Sequence, residues 1–216
     1  MAFVGCKNFV AAPITAYTAG SAITYGTGFK VGHLTRVQLD WNTSDAKLFG
    51  DNVLVESDKS ATSGTITVGT TTLSDNALQK ILGYEESGTD TAVVLNKTDG
   101  EVPYIGCGYV LKDSGDGTPN YIGVWNHRCQ FTGNENVETR QDSTNYQAPE
   151  ITGDVLGAQI DSSGKNYFQV RKSFSTEAAA IAWVNTQAGI SAGAASSGST
   201  QTGQTGQTGQ TSGGGG

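Results

Sequence analysis

Two histidines and three cysteines carry most of the latent chemistry of this chain. His33 and His127 both fall in segments that read as strands, on faces rich in large apolar or aromatic residues. An imidazole in such surroundings serves structure before catalysis. His127-Arg128-Cys129 puts an imidazole and a thiol on one strand face, and Cys107 adds a third soft ligand. A zinc site wants four ligands, usually with paired spacing, and neither a C-x-x-C pair nor a fourth ligand is present. A Cys–His nucleophile needs a further group to orient the imidazole, and none stands at a suitable spacing. Glu85-Glu86 is the only adjacent acidic pair, follows a helix end and reads as a solvated loop. Nothing selects two carboxylates for glycoside hydrolysis. Gly106-Cys107-Gly108 lies inside a strand, where glycine marks a bend or a close backbone contact. No G-x-G-x-x-G or Walker pattern occurs. The expectation is a protein that is not an enzyme, with no catalytic residue, metal or cofactor.

The elements around these residues are mostly strands. Phe29, Val31, His33, Thr35, Val37, Leu39 and Trp41 alternate with Lys30, Arg36, Gln38 and Asp40, leaving Leu34 as the exception. That pattern predicts a long half-buried strand. Asn42-Thr43-Ser44-Asp45 predicts a turn, followed by strands at 53–57 and 65–68. Ser74 before Asp75, with Leu78, Ile81 and Leu82 on one face and Gly83 after, predicts a short capped helix. Leu73 and Leu78 are spaced as a hydrophobic staple. Residues 92–95 form a strand candidate, and 104–112 and 121–131 flank an Asp/Gly/Pro-rich turn as a hairpin. Further strand candidates are 135–140, 146–156 and 167–172. Ser175 is the expected cap of a second helix over 176–188, striped by Ala180, Ile181, Val184 and Ala188 and ended by Gly189. The fold class is mainly β, an antiparallel sandwich or partly closed barrel with one or two flanking helices.

Residues 1–28 contain one charge, Lys7, and scattered apolar groups that need cover. They read as an N-terminal arm for inter-subunit contact, before a domain over 29–190. Residues 191–216, with three Gln-Thr-Gly triplets and four final glycines, lack large apolar side chains and read as a flexible tail. The N-terminus does not have the form of a signal peptide. Three widely spaced cysteines are a poor disulfide framework and suggest reduced, cytosolic thiols. No apolar run is long enough to span a membrane as a helix. The net charge is -7, and it accrues after residue 60: residues 1–60 hold five acids and five bases, residues 61–177 hold 15 and eight. Such a balance opposes a phosphate-gripping surface but suits a passage that nucleic acid must traverse without sticking.

The order of these signals resembles the major tail tube proteins of long, non-contractile-tailed (siphovirus-type) bacteriophages of Gram-positive bacteria. The strings that carry it are Lys47-Leu48-Phe49-Gly50-Asp51-Asn52 into Val53-Leu54-Val55-Glu56, then Ser63-Gly64-Thr65-Ile66-Thr67-Val68, then Leu73-Ser74-Asp75 leading to Ile81-Leu82-Gly83. Val102-Pro103-Tyr104-Ile105-Gly106-Cys107-Gly108-Tyr109, Tyr121-Ile122-Gly123-Val124-Trp125 and Tyr146-Gln147-Ala148-Pro149-Glu150-Ile151-Thr152-Gly153 follow, before the helix from Phe174 to Asn185. The resemblance runs over about residues 28–190 and lies in the order of the strings rather than in any one of them.

The resemblance implies a β-sandwich core with a flanking helix. It implies six copies per ring, rings stacked into a tube with a DNA-sized lumen, and assembly on a tape-measure protein between a distal tip protein and a terminator. Double-stranded DNA would pass through without specific binding. The protein would sit in the virion tail, and in host cytoplasm during assembly. Inter-ring contacts would fall on Phe3, Val4, Phe9 and Ile14 of the arm and on Asp45, Leu48, Phe49 and Asp51 of the loop after the first strand. Asp40, Glu56 and Asp58 are the expected acidic residues of the lumen. A monomer with exposed Trp or Tyr in a groove would instead mark a free-standing β-sandwich module for glycans or a cell surface. A deep pocket where Cys107, His127 or paired carboxylates converge would mark a hydrolase.

Overall fold

The computed structural model describes residues 3–50, 53–87, 90–96, 100–115, 120–134 and 148–190. The expected strand at 135–140, the first residues of that at 146–156, Asp51 and the tail from 191 lie outside the described residues. Among the described residues eleven strands and two helices follow in the order β1 (Phe3–Ala16), β2 (Thr24–Tyr25), β3 (Phe29–Gly32), β4 (Leu34–Gly50), β5 (Val53–Thr70), α1 (Asp75–Leu82), β6 (Glu85–Ser87), β7 (Asp90–Leu95), β8 (Ile105–Asp113), β9 (Asn120–Asn134), β10 (Glu150–Leu156), β11 (Gln169–Phe174) and α2 (Glu177–Gln187). The predicted β-rich fold with flanking helices is what forms. Glu85 and Glu86, expected in a loop, lie in β6, which pairs with β7 as a separate two-stranded sheet.

The main sheet runs β2-β1-β8-β9-β10-β5-β4, with β3 on β1 and β11 on β9. Every pair is antiparallel, as hairpin-length connections favour. Strand β9 pairs with β8 on one edge and divides its other edge, giving residues 121–126 to β11 and 128–134 to β10. Of the expected sandwich or partly closed barrel, the β-rich sheet forms without barrel closure: among the described residues β4 and β1 share no ladder. Two irregularities account for this. Pairing of β3 to β1 stops at Phe9↔Gly32. Just beyond it Asn8 adopts φ 57° in a bulge of β1, and His33 separates β3 from β4. A bulge bends its strand and ends local pairing. From that point β4 follows β5 rather than β1.

His33 also explains the exception in the alternating pattern. Val31, Leu34, Val37 and Leu39 all pack into the main core, while His33 and Thr35 are exposed. The break at His33 and a register shift between Leu34 and Arg36 flip the pleat twice, so Leu34 turns inward.

The sheet buries apolar residues on both faces. One face gathers Phe9, Ile66, Ile105, Phe131, Ile151 and Val155, and α1 adds Ala77, Ile81 and Leu82. On the other face α2 sets Ala180, Val184 and Ala188 against Val10, Ala12, Val110 and Trp125. The sheet is thinned by glycine where α2 and the indoles lie. A Cβ at Gly108 would stand 2.6 Å from Trp125, and one at Gly123 would stand 2.6 Å from Trp183. These are the close contacts expected of strand glycines.

Both helices are capped from their own sequence. Ser74 Oγ accepts from Ala77 N at 3.3 Å, and Gly83 closes α1 at φ 75°. Thr176, one residue after the expected Ser175, caps α2 by accepting from Ala179 N at 3.3 Å. Of the expected α2 stripe, Ala180, Val184 and Ala188 are buried and Ile181 is half-buried.

The expected arm over residues 1–28 is not separable from the domain. Its first half is β1, paired with β8 along most of its length and with β3 and β2 on the other edge. Phe9, Val10, Ala11 and Ala12 are fully buried. A strand buried on both faces shows a continuous apolar run rather than alternation, so its sequence does not announce it.

Candidate assembly surface

The β4–β5 hairpin is longer than the sheet that holds it. Strand β10 pairs with β5 only over residues 64–69. Beyond that, β4 and β5 continue to pair with each other down to Gly50↔Val53. No other strand pairs with this part of the hairpin among the described residues. Residues 41–47 and 59–62 are exposed on it. Two side-chain bonds tie its base: Asn42 Nδ2 donates to Ser63 Oγ at 3.1 Å, and Thr62 Oγ1 donates to the Asn42 carbonyl at 3.1 Å. Two uncovered edges on a projecting hairpin invite pairing with another chain.

The gap between β1 and β4 forms a second feature. It is a cleft of about 610 Å³, with Phe3, Val4 and Cys6 on one wall and Arg36, Leu39 and Trp41 on the other. Tyr109, Leu111, Val124, Gln169 and Arg171 complete it from β8, β9 and β11. Phe3 is 51% exposed, Val4 62% and Trp41 38%. The Trp41 ring leans on Phe168 with centroids 5.1 Å apart. Burial raises the pKa of the Cys6 thiol, and the neighbouring Val37 backbone opposes the rise. Among the described residues two arginines line the cleft and no acid does. Arg36 Nη1 stands 3.6 Å from Glu150 Oε1, an exposed pair that contributes little to stability. The Arg36 guanidinium also donates to the Gln38 side chain.

The expected contact residues divide between these features and the core. Phe3 and Val4 lie on the cleft. Phe9 is core, meets Phe131 edge-on at 6.5 Å, and is closed to any partner in this fold. Ile14 is half-buried opposite Tyr25. Asp45 is exposed on the hairpin and bridged to Lys47 at 2.8 Å. Leu48 and Phe49 lie near its end, opposite Glu56 and Leu54. The expected turn at 42–45 is strand, and the chain reverses only after Gly50. Of the expected lumen acids, Asp40 is exposed and its Oδ2 accepts from Gln38 Nε2 at 2.7 Å. Glu56 and Asp58 lie on the same hairpin, opposite Leu48 and Ala46. The cleft itself was not legible, since its walls come from five strands distant in sequence.

The residues singled out for chemistry do not gather into one site. His33 is exposed between β3 and β4. His127 is buried, its Nε2 has no hydrogen-bond partner, and burial lowers its pKa. Cys129 Sγ faces Cys107 Sγ at 3.6 Å, both thiols fully buried. Burial and the neighbouring thiol raise the Cys129 pKa, which disfavours the nucleophilic thiolate. Asn126 Nδ2 donates to Cys107 Sγ at 3.6 Å, and its buried Oδ1 has no partner. Among the described residues no three His, Cys, Asp or Glu side chains group as metal ligands. No helix among them is long and apolar enough to cross a membrane.

The chain matches no family model and no curated protein.

Proposed function

We propose that this chain is the structural subunit of a bacteriophage tail tube of the siphovirus type. It self-assembles into stacked hexameric rings whose channel delivers the genome into the host. The observation that carries the reading is the β4–β5 hairpin, which runs on past its last pairing with β10 with residues 41–47 and 59–62 exposed and no further strand on it among the described residues. A domain that lives alone gains nothing from so long an uncovered hairpin and risks non-specific pairing. In a stacked ring it bridges to the next copy. The order of sequence strings over about residues 28–190, and the main sheet with a helix packed on each face, support the same assignment. The β-sandwich of that family is then completed by neighbouring copies rather than by barrel closure within one chain.

In this reading Asp40 faces the channel and holds DNA mobile by like charge, while Glu56 and Asp58 go with the hairpin to the next copy. The tape-measure protein sets the length, and the tip and terminator proteins bound the tube. Negative-stain microscopy of the concentrated protein tests the proposal. Rings or tubes are expected, and a chain that stays monomeric at every concentration and salt condition overturns it.

Trp41 favours a second reading. An exposed indole in a cleft that also holds Tyr109, Gln169 and two arginines suits a glycan-binding module. A monomer whose tryptophan fluorescence titrates with an oligosaccharide would favour that reading over the first.

A further inference from the structure

The cleft between β1 and β4 has the features of a receptor, and its chemistry says for what. Its walls are apolar and aromatic, with Phe3, Val4, Leu39 and Trp41 at the opening. Among the described residues that line it, the charged groups are Arg36 and Arg171. The strands on its two sides are not laddered to each other. An occupant should therefore be extended, apolar and acidic.

One element of the chain has that composition. Residues 43–61 of the hairpin carry four acids against two lysines, together with Leu48, Phe49, Val53, Leu54 and Val55. We infer that the cleft between β1 and β4 receives the β4–β5 hairpin of a second copy of this chain. The inference rests on the tube reading and adds to it the surface that accepts the hairpin. A strand entering the seam pairs with the backbone edge left by Asn8 and His33, buries Phe3, Val4 and Trp41, and sets carboxylates against Arg36 and Arg171. Opposite charge across such a contact fixes register and suppresses wrong partners.

Cys6 is a reporter already in place, because it lines the cleft while Cys107 and Cys129 are fully buried. The test mixes two chains, one native at Cys6 and one carrying Cys6→Ser with Ser57→Cys. A second mixture uses Ser60→Cys, since positions 57 and 60 lie on opposite faces of a strand. A short bismaleimide then joins hairpin to cleft only between molecules. The expected result is a covalent dimer whose mass spectrum contains the Cys6 peptide linked to one of the two hairpin positions. Arg171→Glu, an exposed change, is expected to leave the unfolding midpoint unchanged and to raise the concentration needed for polymerisation about tenfold. Tubes that form without either cross-link, and Arg171→Glu protein that polymerises at the native concentration, overturn this inference while the tube reading stands. Absence of both tubes and cross-links at all concentrations overturns the two together.

Discussion

The sheet around Trp125 and the hairpin beyond Trp41 are both antiparallel ladders, yet they are finished in opposite ways. Trp125 is fully buried in the middle of β9, paired across from Gly108, with α2 packed over it. Its Nε1 donates to Tyr25 Oη at 3.2 Å, and Tyr25 Oη donates to the His127 carbonyl at 2.9 Å. Every polar atom of that relay is turned toward its own chain. Residues 41–47 and 59–62 do the reverse, with exposed side chains and no strand beyond the pair itself. The central ladder pairs its backbone on both edges, whereas the hairpin has no strand on its outer edges among the described residues and lacks apolar cover as well. The centre is self-sufficient, and the hairpin is complete only against something else.

The sharpest way to break this contrast is to remove β1. Deleting residues 3–16 exposes the edge of β8, opens the core at Phe9 and Ala11, and strips Val10 and Ala12 from α2. The expected outcome is loss of the cooperative unfolding transition and of chemical-shift dispersion. A truncated chain that still melts cooperatively would restore the idea of a detachable arm.

Trp125→Ala comes next. It empties the largest fully buried side chain and leaves the Tyr25 hydroxyl without its indole donor. Large-to-small changes of this type cost about 3–5 kcal/mol. Urea titration should show a lower midpoint at unchanged slope. A loss below about 1 kcal/mol would mean that the centre is less tightly packed than the fully buried indole implies.

These two expectations also mark where the sequence could and could not be read. The helices were legible because caps act locally. Ser74 and Gly83 behave as their types dictate, and only the choice between Ser175 and Thr176 needed coordinates. The strands of 104–131 were legible because the intervening turn chemistry is strong. β1 was not, since Phe9 to Ala12 face apolar neighbours on both sides and give no period-two signal. The cleft was least legible of all. It exists because Asn8 and His33 interrupt two strands at the same level, and that coincidence is a property of the register between β1 and β3. Leu34, out of phase in its strand, was the one trace of it in the sequence.

Acid separates the two regions by a smaller effect. His127 lies beside the Trp125 relay, and burial holds its pKa below the usual 6.5. Between the folded and unfolded values the unfolded chain binds the extra proton, so stability there rises with pH. Its contribution is intact above about 6.5 and declines as the pH falls toward the folded value, by at most about 1.4 kcal/mol per unit. Urea midpoints measured between about pH 7 and pH 5 should fall, and His127→Gln should flatten that slope. An unchanged slope in the variant would assign the acid sensitivity elsewhere.

The smallest stability effect is expected from the largest excision. Replacing residues 43–62 with Asn-Gly joins Asn42 directly to Ser63, which are already cross-strand partners. Asn-Gly is the preferred two-residue turn between such partners. The excision forfeits the Thr62–Asn42 bond at the base but none of the described residues of either core cluster. It also shortens the unfolded chain, which removes conformational entropy from the competing state. The unfolding free energy should therefore change by no more than about 1 kcal/mol. Polymerisation, in contrast, should vanish, because both partners of the inferred contact have lost the inserting half. If the shortened chain fails to fold, the hairpin belongs to its own core and the contrast with the Trp125 region is false. If it folds and still forms tubes, the hairpin is dispensable and the contacts between copies lie on some other face.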